Sequence, residues 1–258
     1  MVAVGHLTLD RVGQRKVLGG SAWYAACAWR GQGEQVRLVT AAGPDLPVLP
    51  RWRGLEVDIR LGPRTTEFSN VYLGDGRRRL LVHAQAPTVA PFGTPQPCEV
   101  LFLAPVLGEV PFEHWVQTTD ARLVGVGLQG WLKHARADGE VAPRPDLIDP
   151  TDFDGADVAC LSEEDLGGDD RWLARLTEVV PIIALTRAAA GCDVIVRGRT
   201  TRVATQPVEE VDATGAGDSF AAGFLRALAR GADPPQAAAV GCELGAAAVR
   251  QVGAPTTG

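Results

Sequence analysis

Short apolar runs alternate with helix-like segments along most of this chain, and this alternation is what most constrains its fold. Runs of this kind, separated by amphipathic helices, are typical of a mostly parallel sheet covered by helices. The candidate strands are residues 2–4, 36–40, 100–103, 122–126, 158–161 and 182–185. We therefore expect an α/β body with these strands at its centre.

Several of the intervening segments carry apolar residues at helical spacing. The candidate helices are residues 21–30, 169–179, 215–230 and 234–249. Ser21 stands at the start of the first, where a serine hydroxyl commonly caps a helix. We expect these helices to pack their small or apolar faces on the sheet.

Two segments break the rhythm. Residues 7–18 and 65–82 alternate polar and apolar side chains, as exposed antiparallel strands do, and the second contains the hairpin-turn sequence Gly74-Asp75-Gly76. They predict a small sheet standing off the body, with the proline-rich residues 87–97 as a stiff connector. We expect residues 1–258 to form a single domain that includes this β lid.

The composition argues against several classes of protein. The net charge of -6 and the scattered basic residues do not favour a nucleic-acid partner. The chain has neither a basic leader nor an apolar stretch of about 18 residues, so we expect no export and no membrane span. Five cysteines without a CxxC pair are typical of thiols in a reducing cytoplasm, and no Cys/His cluster has zinc spacing.

The segment that carries chemistry is a glycine-rich turn leading into a helix, at Thr214 to Phe220. Gly215, Ala216 and Gly217 have little or no side chain, so an anion can approach their amides, which are unpaired at a helix start. Such a turn can hold a transferring phosphoryl group.

Asp218 falls in the first turn of the same helix, beside this turn. A carboxylate there can take the proton from an attacking hydroxyl. The alternative is that Asp218 only complements the helix dipole, since acidic residues are common in first turns.

The run from Asp212 to Phe220, DATGAGDSF, resembles the C-terminal signature of the ribokinase-like carbohydrate kinases, also called the phosphofructokinase-B type. Further positions resemble the family in the same order along the chain: Gly5 to Asp10, Gly19-Gly20, Thr65 to Phe68, Thr186 to Gly191 and Gly253. The resemblance thus covers roughly the full length.

The resemblance implies a Rossmann-like, mostly parallel sheet with helices on both faces and a small β-sheet lid. It implies transfer of the γ-phosphoryl group of ATP, with Mg²⁺, to a hydroxyl of a sugar, inositol or nucleoside. The implied site has Gly215, Ala216 and Gly217 as anion hole and Asp218 as base, with Asp10, Gly19, Gly20 and Asn70 at the acceptor and Thr186, Gly191, Thr214 and Gly253 at the nucleotide. It also implies potassium beside the turn, held partly by Asp212.

The sequence departs from the family at one motif. The family usually has Asn-x-x-Glu near the Mg²⁺ and phosphates, whereas this chain has Ser162-Glu163-Glu164-Asp165 there. Asp165 can replace the glutamate through water, with help from Glu163 or Glu164. Equally, Ser162 can cap a short turn whose acids need no metal. The two interpretations are compatible.

Two rival functions remain open from the residues. Gly125 to Gly130 reads GxGxxG after a candidate strand, which is typical of a dinucleotide-binding oxidoreductase, although the helix that should follow would be short. The other rival is a sensor that keeps the fold and has lost the activity. Glu109, close behind another strand, either lines the cleft or is an ordinary loop acid.

The lid and the segment 128–131 favour a polyol such as inositol as acceptor. The exposed lid strands predict a homodimer, because a free β edge is usually covered by another strand or chain.

Overall fold

The computed structural model describes residues 1–47, 54–72, 78–91, 97–250 and 253–254, except the side chains of Tyr72 and Arg78. The strands are β1 (Val2–Val4), β2 (Thr8–Val12), β3 (Arg15–Gly19), β4 (Val36–Ala42), β5 (Leu55–Leu61), β6 (Thr66–Tyr72), β7 (Arg78–Ala84), β8 (Cys98–Leu103), β9 (Ala121–Gly127), β10 (Lys133–Ala135), β11 (Glu140–Pro143), β12 (Val158–Ser162), β13 (Ile182–Thr186), β14 (Cys192–Val196) and β15 (Arg199–Val203). The α-helices are α1 (Ser21–Gly31), α2 (Phe112–Thr118), α3 (Gln129–Leu132), α4 (Asp170–Val179), α5 (Ala216–Ala229) and α6 (Pro234–Ala248).

The body is a nine-stranded sheet in the order β15-β14-β13-β12-β9-β8-β1-β4-β5. Its strands from β13 to β5 are parallel, whereas β14, near one edge, runs antiparallel to both of its neighbours, β13 and β15. All six strands predicted from the sequence are present. The prediction missed the edge strand β5, whose polar and apolar residues alternate, and the hairpin of β14 and β15.

Helices cover both faces of this sheet, as expected, because successive strand residues point to opposite sides. On one side Phe102 packs with residues of α1 and α5, including Trp29 and Phe224. On the other side Leu101 and Leu103 pack with residues of α2 and α4, including Phe112 and Trp172. The body therefore has two apolar cores separated by the sheet.

The lid is a six-stranded sheet in the order β10-β11-β7-β6-β2-β3. The predicted pairs β2–β3 and β6–β7 are present and antiparallel, and β2 joins β6 in parallel. The short strands β10 and β11 were not predicted. The predicted turn Gly74-Asp75-Gly76 and residues 92–96 of the connector lie outside the described residues.

One face of the lid is turned toward the body. Phe68 and Val141 pack with Leu107, which follows β8 in the body. The strand register places Asp10 opposite Phe68, and Asn70 lies two residues beyond Phe68, so both share this face. We call it the inner face of the lid.

Lys133 also lies on the inner face. It is two residues from Ala135, which pairs with Val141, and α3 ends immediately before it. Lys133 therefore stands where the chain passes from the body into the lid.

None of the five cysteines, all of which lie in the described ranges, forms a disulfide; Cys98 is partly exposed, and the others are buried, namely Cys27, Cys160, Cys192 and Cys242. Within the described ranges, none of the helices combines the length and the hydropathy that a membrane span requires.

Candidate active site

The N-terminus of α5 is held by the loop that precedes it. The amides of Val211 and Asp212 donate to the carbonyl of Val249 at the end of α6, at 2.8 and 3.1 Å. Asp212 Oδ1 accepts from the amide and the hydroxyl of Thr214, at 2.9 and 2.6 Å. Gly215 then caps α5 in the left-handed conformation, with φ 78° and ψ 4°. The loop before α5 is therefore held by hydrogen bonds to the end of α6 and by the hydrogen bonds between Asp212 and Thr214.

Two amides at the start of α5 have no hydrogen-bond acceptor among the described residues. Ala216 N donates to Ala213 O and Ser219 N to Gly215 O, at 3.2 and 2.9 Å. Within the described part of the chain, the amides of Gly217 and Asp218 between them have no hydrogen-bond partner. Free amides at the positive end of a helix dipole suit an anion.

Asp218 lies beside these amides and is only partly exposed. Its limited hydration raises its pKa to about 6, and the charge of Asp165 adds to this, whereas a hydrogen bond from Ser21 and the charge of Lys133 oppose it. The Ser21 contact corrects one expectation: Gly20, not Ser21, is the N-cap residue of α1, and no side chain caps that helix.

Asp10 is the second carboxylate of the site. Burial raises its pKa to about 6; the Thr8 hydroxyl opposes this and the charge of Asp212 adds to it. A side chain at Gly19 would overlap the carboxylate of Asp10 and the hydroxyl of Thr8, because Gly19 lies opposite Thr8 in the register. A side chain at position 19 would therefore displace the Asp10 carboxylate or the Thr8 hydroxyl.

Gly20, which lies between β3 and α1, also has no room for a side chain. Its φ of 110° disfavours other residues, and a Cβ there would overlap the carbonyl of His6. Asn70, expected at the acceptor, is exposed on the inner face of the lid. Its contact with an acceptor stays a prediction.

The turn expected at the nucleotide joins β13 to β14. Gly191 has φ 89°, and a Cβ there would overlap the carbonyl of Val203. Arg187 follows Thr186 and pairs with Glu163 at 2.6 Å and with Asp193 at 2.7 Å. Gly253 is also left-handed, with φ 78°. The turn is thus closely packed, and its role at a nucleotide stays a prediction.

The three acids proposed at the metal do not gather into one centre. Asp165 Oδ2 accepts from the amide and hydroxyl of Ser162, at 2.8 and 2.7 Å, as the capping interpretation predicts. Glu163 pairs with Arg187, and Asp212 binds Thr214. In the described ranges no three carboxylate, imidazole or thiol groups lie close enough together to hold a metal.

Sequence reasoning missed three residues that the fold brings to this site: Ser21, Tyr24 and Lys133. The first two lie on α1, next to Gly19-Gly20, and Lys133 follows the segment 128–131. Adjacency to motif residues was the available signal for each. It was too weak to use, because neighbours in sequence do not show which side chains turn toward a distant helix.

The oxidoreductase interpretation of Gly125 to Gly130 fails in the structure. After β9 the chain forms only the four-residue α3 and then enters the lid as β10, so the long helix that a dinucleotide fold needs is not present there. Trp131 instead donates to the carbonyl of Val110 at 3.1 Å and packs on Phe153.

Glu109 is neither a cleft residue nor an ordinary loop acid. It is only 3% exposed. Its carboxylate accepts from the amides of His6, Val106 and Leu107, at 2.8 to 3.0 Å. It therefore joins the loop after β8 to the end of β1.

Comparison with known sequences gives a consistent family. Residues 134–257 match the model of the pfkB family carbohydrate kinases. An inositol 3-kinase of Oryza sativa subsp. japonica is 47% identical over 74 residues, which are 29% of this chain and 19% of that protein. A fructokinase of Klebsiella pneumoniae is 38% identical over 97 residues, 34% of this chain and 32% of that protein. The chain thus matches a third or less of the length of these relatives.

Solved structures of other proteins match the fold of this chain over nearly its whole length. A pyrophosphate-dependent kinase in the ribokinase family, complexed with a pyrophosphate analog and myo-inositol, has a TM-score of 0.81 at 18% identity and covers 98% of this chain and 97% of its own. Ribokinase from Thermotoga maritima has a TM-score of 0.70 at 19% identity, with coverages of 98% and 94%. The resemblance seen in the sequence is thereby confirmed: the chain has the ribokinase-like fold, and its residues 134–257 match the model of the pfkB family carbohydrate kinases.

Proposed function

We propose that the chain is an ATP-dependent kinase that transfers the γ-phosphoryl group to a hydroxyl of a small polyol. The observation that carries this proposal is the start of α5, where the free amides of Gly217 and Asp218 stand beside the carboxylate of Asp218. Amides set in place before the reaction stabilise charge that develops in a transition state. A carboxylate with a pKa of about 6 is ionised at neutral pH and remains a competent base.

In the proposed reaction the acceptor binds between the inner face of the lid and the carboxyl edge of the large sheet. Asp10 accepts hydrogen bonds from its hydroxyl groups, and Asn70 contributes from the lid. The reacting hydroxyl passes its proton to Asp218 as its oxygen forms the new bond to phosphorus, and the bond to the leaving oxygen of the donor breaks. The turn Gly215 to Gly217 holds the transferring phosphoryl group.

The donor and its ions belong to the proposal as well. Thr186, Gly191, Thr214 and Gly253 would contact ATP. Since no three ligands gather within the described residues, Mg²⁺ would be bound mainly by donor phosphates and water, with Asp165 and Glu163 acting from a distance. The bound metal would neutralise phosphate charge. Asp212 would help to hold a potassium ion beside the turn.

Pyrophosphate is the second candidate donor. It is favoured by the match in fold to the pyrophosphate-dependent kinase, whose TM-score of 0.81 is higher than the 0.70 of ribokinase. The same neighbour and the plant inositol 3-kinase support inositol among the sugar, inositol and nucleoside acceptors. We also propose a cytoplasmic setting and a homodimer through the lid edges.

The test is product formation from sugars, cyclitols and nucleosides, with ATP or pyrophosphate as donor and with Mg²⁺ and K⁺ present. Asp218→Asn should lower kcat at least about 100-fold, because it removes the base, while donor affinity stays within about threefold. Asp233→Asn is the matched control, since asparagine also caps helices and Asp233 only caps α6. Unchanged turnover in Asp218→Asn would remove that residue from its role.

The variant should not lose activity by unfolding. The pKa of Asp218 rises from 3.8 to about 6 on folding, so the folded chain holds this proton up to a higher pH than the unfolded chain. The ionised carboxylate therefore lowers stability as pH rises from about 4 to about 6, and this loss is complete above that range. Asp218→Asn should melt no lower than wild type at about pH 7.5. Donor binding without turnover of any acceptor would favour the inactive sensor.

A further inference from the structure

Tyr24 occupies the point where the lid, α1 and α5 meet. It lies in the first turn of α1, directly after β3 leaves the lid, and its amide donates to Gly20 O at 3.1 Å. Its side chain is only 3% exposed and belongs to the core shared by α1 and α5. A large ring at this point can transmit the position of one element to another.

The ring lies directly against Gly215. A Cβ at Gly215 would overlap Cγ, Cδ1 and Cε1 of Tyr24, and these ring atoms are the nearest neighbours of that position. The φ of 78° at Gly215 disfavours other residues independently. Because Gly215 is the cap of α5, the ring sets where that helix begins and where the free amides of Gly217 and Asp218 point.

The hydroxyl end of Tyr24 faces an acidic environment. Burial raises the pKa of the phenol, and the charges of Asp10, Asp212 and Asp218 raise it further, in that order. The phenol therefore stays neutral, within electrostatic reach of carboxylates from the lid, from the loop before α5 and from α5 itself. An aromatic body with a polar tip suits such a boundary.

We propose that Tyr24 is a positioning residue for phosphoryl transfer, whose ring seats the Gly215 turn so that the amides of Gly217 and Asp218 converge on the transferring group. This rests on the proposed function. Tyr24 acts through the turn and does not touch the reacting atoms. The ring, and not the hydroxyl, supplies the effect.

Two substitutions separate the ring from the hydroxyl. Tyr24→Phe keeps the ring and should keep kcat within about threefold, whereas Tyr24→Leu removes it and should lower kcat about 100-fold, the usual result of a misplacement of about 1 Å. The KM for the acceptor should change less than about threefold in both, since only the transition-state contacts are lost. Equal losses in the two variants, or wild-type kcat in Tyr24→Leu, would overturn the proposal.

A double-mutant cycle tests the contact itself. Gly215→Ala should also lower kcat about 100-fold, because its methyl group meets the ring of Tyr24. In the pair Gly215→Ala and Tyr24→Ala all three overlapping atoms, Cγ, Cδ1 and Cε1, are gone. The combined loss should therefore fall well short of the product of the losses in these two single variants. Fully multiplicative losses would show that the ring and the turn act independently.

Trp29→Phe is the control for a structural role. Trp29 is a fully buried ring on the same helix, and its Nε1 donates to Ala222 O at 2.8 Å. We expect Trp29→Phe and Tyr24→Leu both to lower Tm, because each removes buried apolar volume. Trp29→Phe should leave kcat per folded molecule unchanged. A comparable fall of kcat in Trp29→Phe would mean that loss of packing anywhere beneath α5 is enough to lower kcat, and that Tyr24 has no special role.

Failure of the proposed function is distinguishable from failure of this inference. If wild type turns over no acceptor with either donor, the kinase proposal fails. The effect of Tyr24 on the Gly215 turn can then still be measured by amide hydrogen exchange. Ser219 N, bonded to Gly215 O at 2.9 Å, should exchange at least about tenfold faster in Tyr24→Leu than in wild type or Tyr24→Phe, because the turn opens more often. Unchanged exchange would overturn the role of Tyr24 whatever the activity.

Discussion

At the scale of single residues, the acidity of Asp218 depends on neighbours that act in opposite directions. Limited hydration brings its pKa to about 6, with a further upward effect from Asp165, and Ser21 and Lys133 pull it down. These neighbours come from three separate parts of the chain: α1, the segment after β12 and the first strand of the third lid excursion. The acidity of the candidate base is therefore a property of the assembled fold.

We predict that kcat/KM rises with pH to a midpoint near 6, because Asp218 must lose its proton to act as base. Ser21→Ala and Lys133→Gln each remove an influence that lowers the pKa, so they should move the midpoint upward. Asp165→Asn removes one that raises it and should move the midpoint downward. The measurement is kcat/KM across pH for the four proteins.

Asp10 needs a separate control in this series, because burial also brings its pKa to about 6. Asp10→Asn should raise KM for the acceptor and leave the midpoint in place. Shifts of the same sign in all three neighbour variants, or loss of the midpoint in Asp10→Asn, would assign the titration to another group.

At the scale of elements, a buried polar network joins the lid to the body. His6 Nε2 lies 2.9 Å from Pro87 O, which can only accept, so Nε2 carries a hydrogen. His6 Nδ1 forms a hydrogen bond with the Thr66 hydroxyl at 2.8 Å. Thr66 Oγ1 in turn accepts from Ala86 N at 2.9 Å. The starts of β2 and β6 and the end of β7 are thus tied at one point.

We predict that Thr66→Val, which is nearly isosteric, lowers the free energy of unfolding by about 1–3 kcal/mol, because it leaves buried polar partners unsatisfied. Thr177→Val is the control: its exposed hydroxyl donates only to Ala174 O on α4, and its cost should stay below about 0.5 kcal/mol. Urea unfolding monitored by tryptophan fluorescence gives both values. Similar costs at the two positions would mean that the network adds nothing to stability.

At the scale of the whole molecule, the lid is not an independent unit. The chain enters it as β2–β3, again as β6–β7 and finally as β10–β11, and it returns to the body each time. Its inner face packs on Leu107 of the body. Within the lid, Glu67 is fully buried and forms ion pairs with Arg11, Lys16 and Arg64. Hydrogen bonds from Lys16 and Arg11 lower the pKa of Glu67, and burial opposes this effect.

We therefore predict a single cooperative thermal transition for body and lid. Calorimetry should give equal van't Hoff and calorimetric enthalpies for the monomer, which is the test for a two-state transition. Two resolved transitions, or a calorimetric enthalpy well above the van't Hoff value, would show that the lid melts separately. The expectation of one domain over residues 1–258 would then be wrong.

Much of the body follows from local pattern. Strand β1, residues 100–103 of β8 and residues 158–161 of β12 are continuous apolar runs, which are typical of a sheet buried on both faces. Helices α5 and α6 begin and end close to where the spacing of apolar residues predicts. The glycine-rich turn before α5 is also local. These features depend on residues within a few positions of each other, so the sequence alone determines them.

The remaining features depend on distant chain segments meeting. β10 and β11 have only three and four residues, too few for a periodic pattern, and they exist because β7 offers them an edge. Ser21, expected to cap α1, instead donates to Asp218. The Tyr24 ring contacts Gly215, although the two residues lie 191 positions apart in the sequence of 258. Such contacts arise from packing of α1 against α5, which no local pattern encodes. The sequence determined the six predicted strands of the body, helices α1, α4, α5 and α6, and the turn. Tertiary packing decided the remaining elements and what surrounds Asp218, because these depend on distant segments meeting.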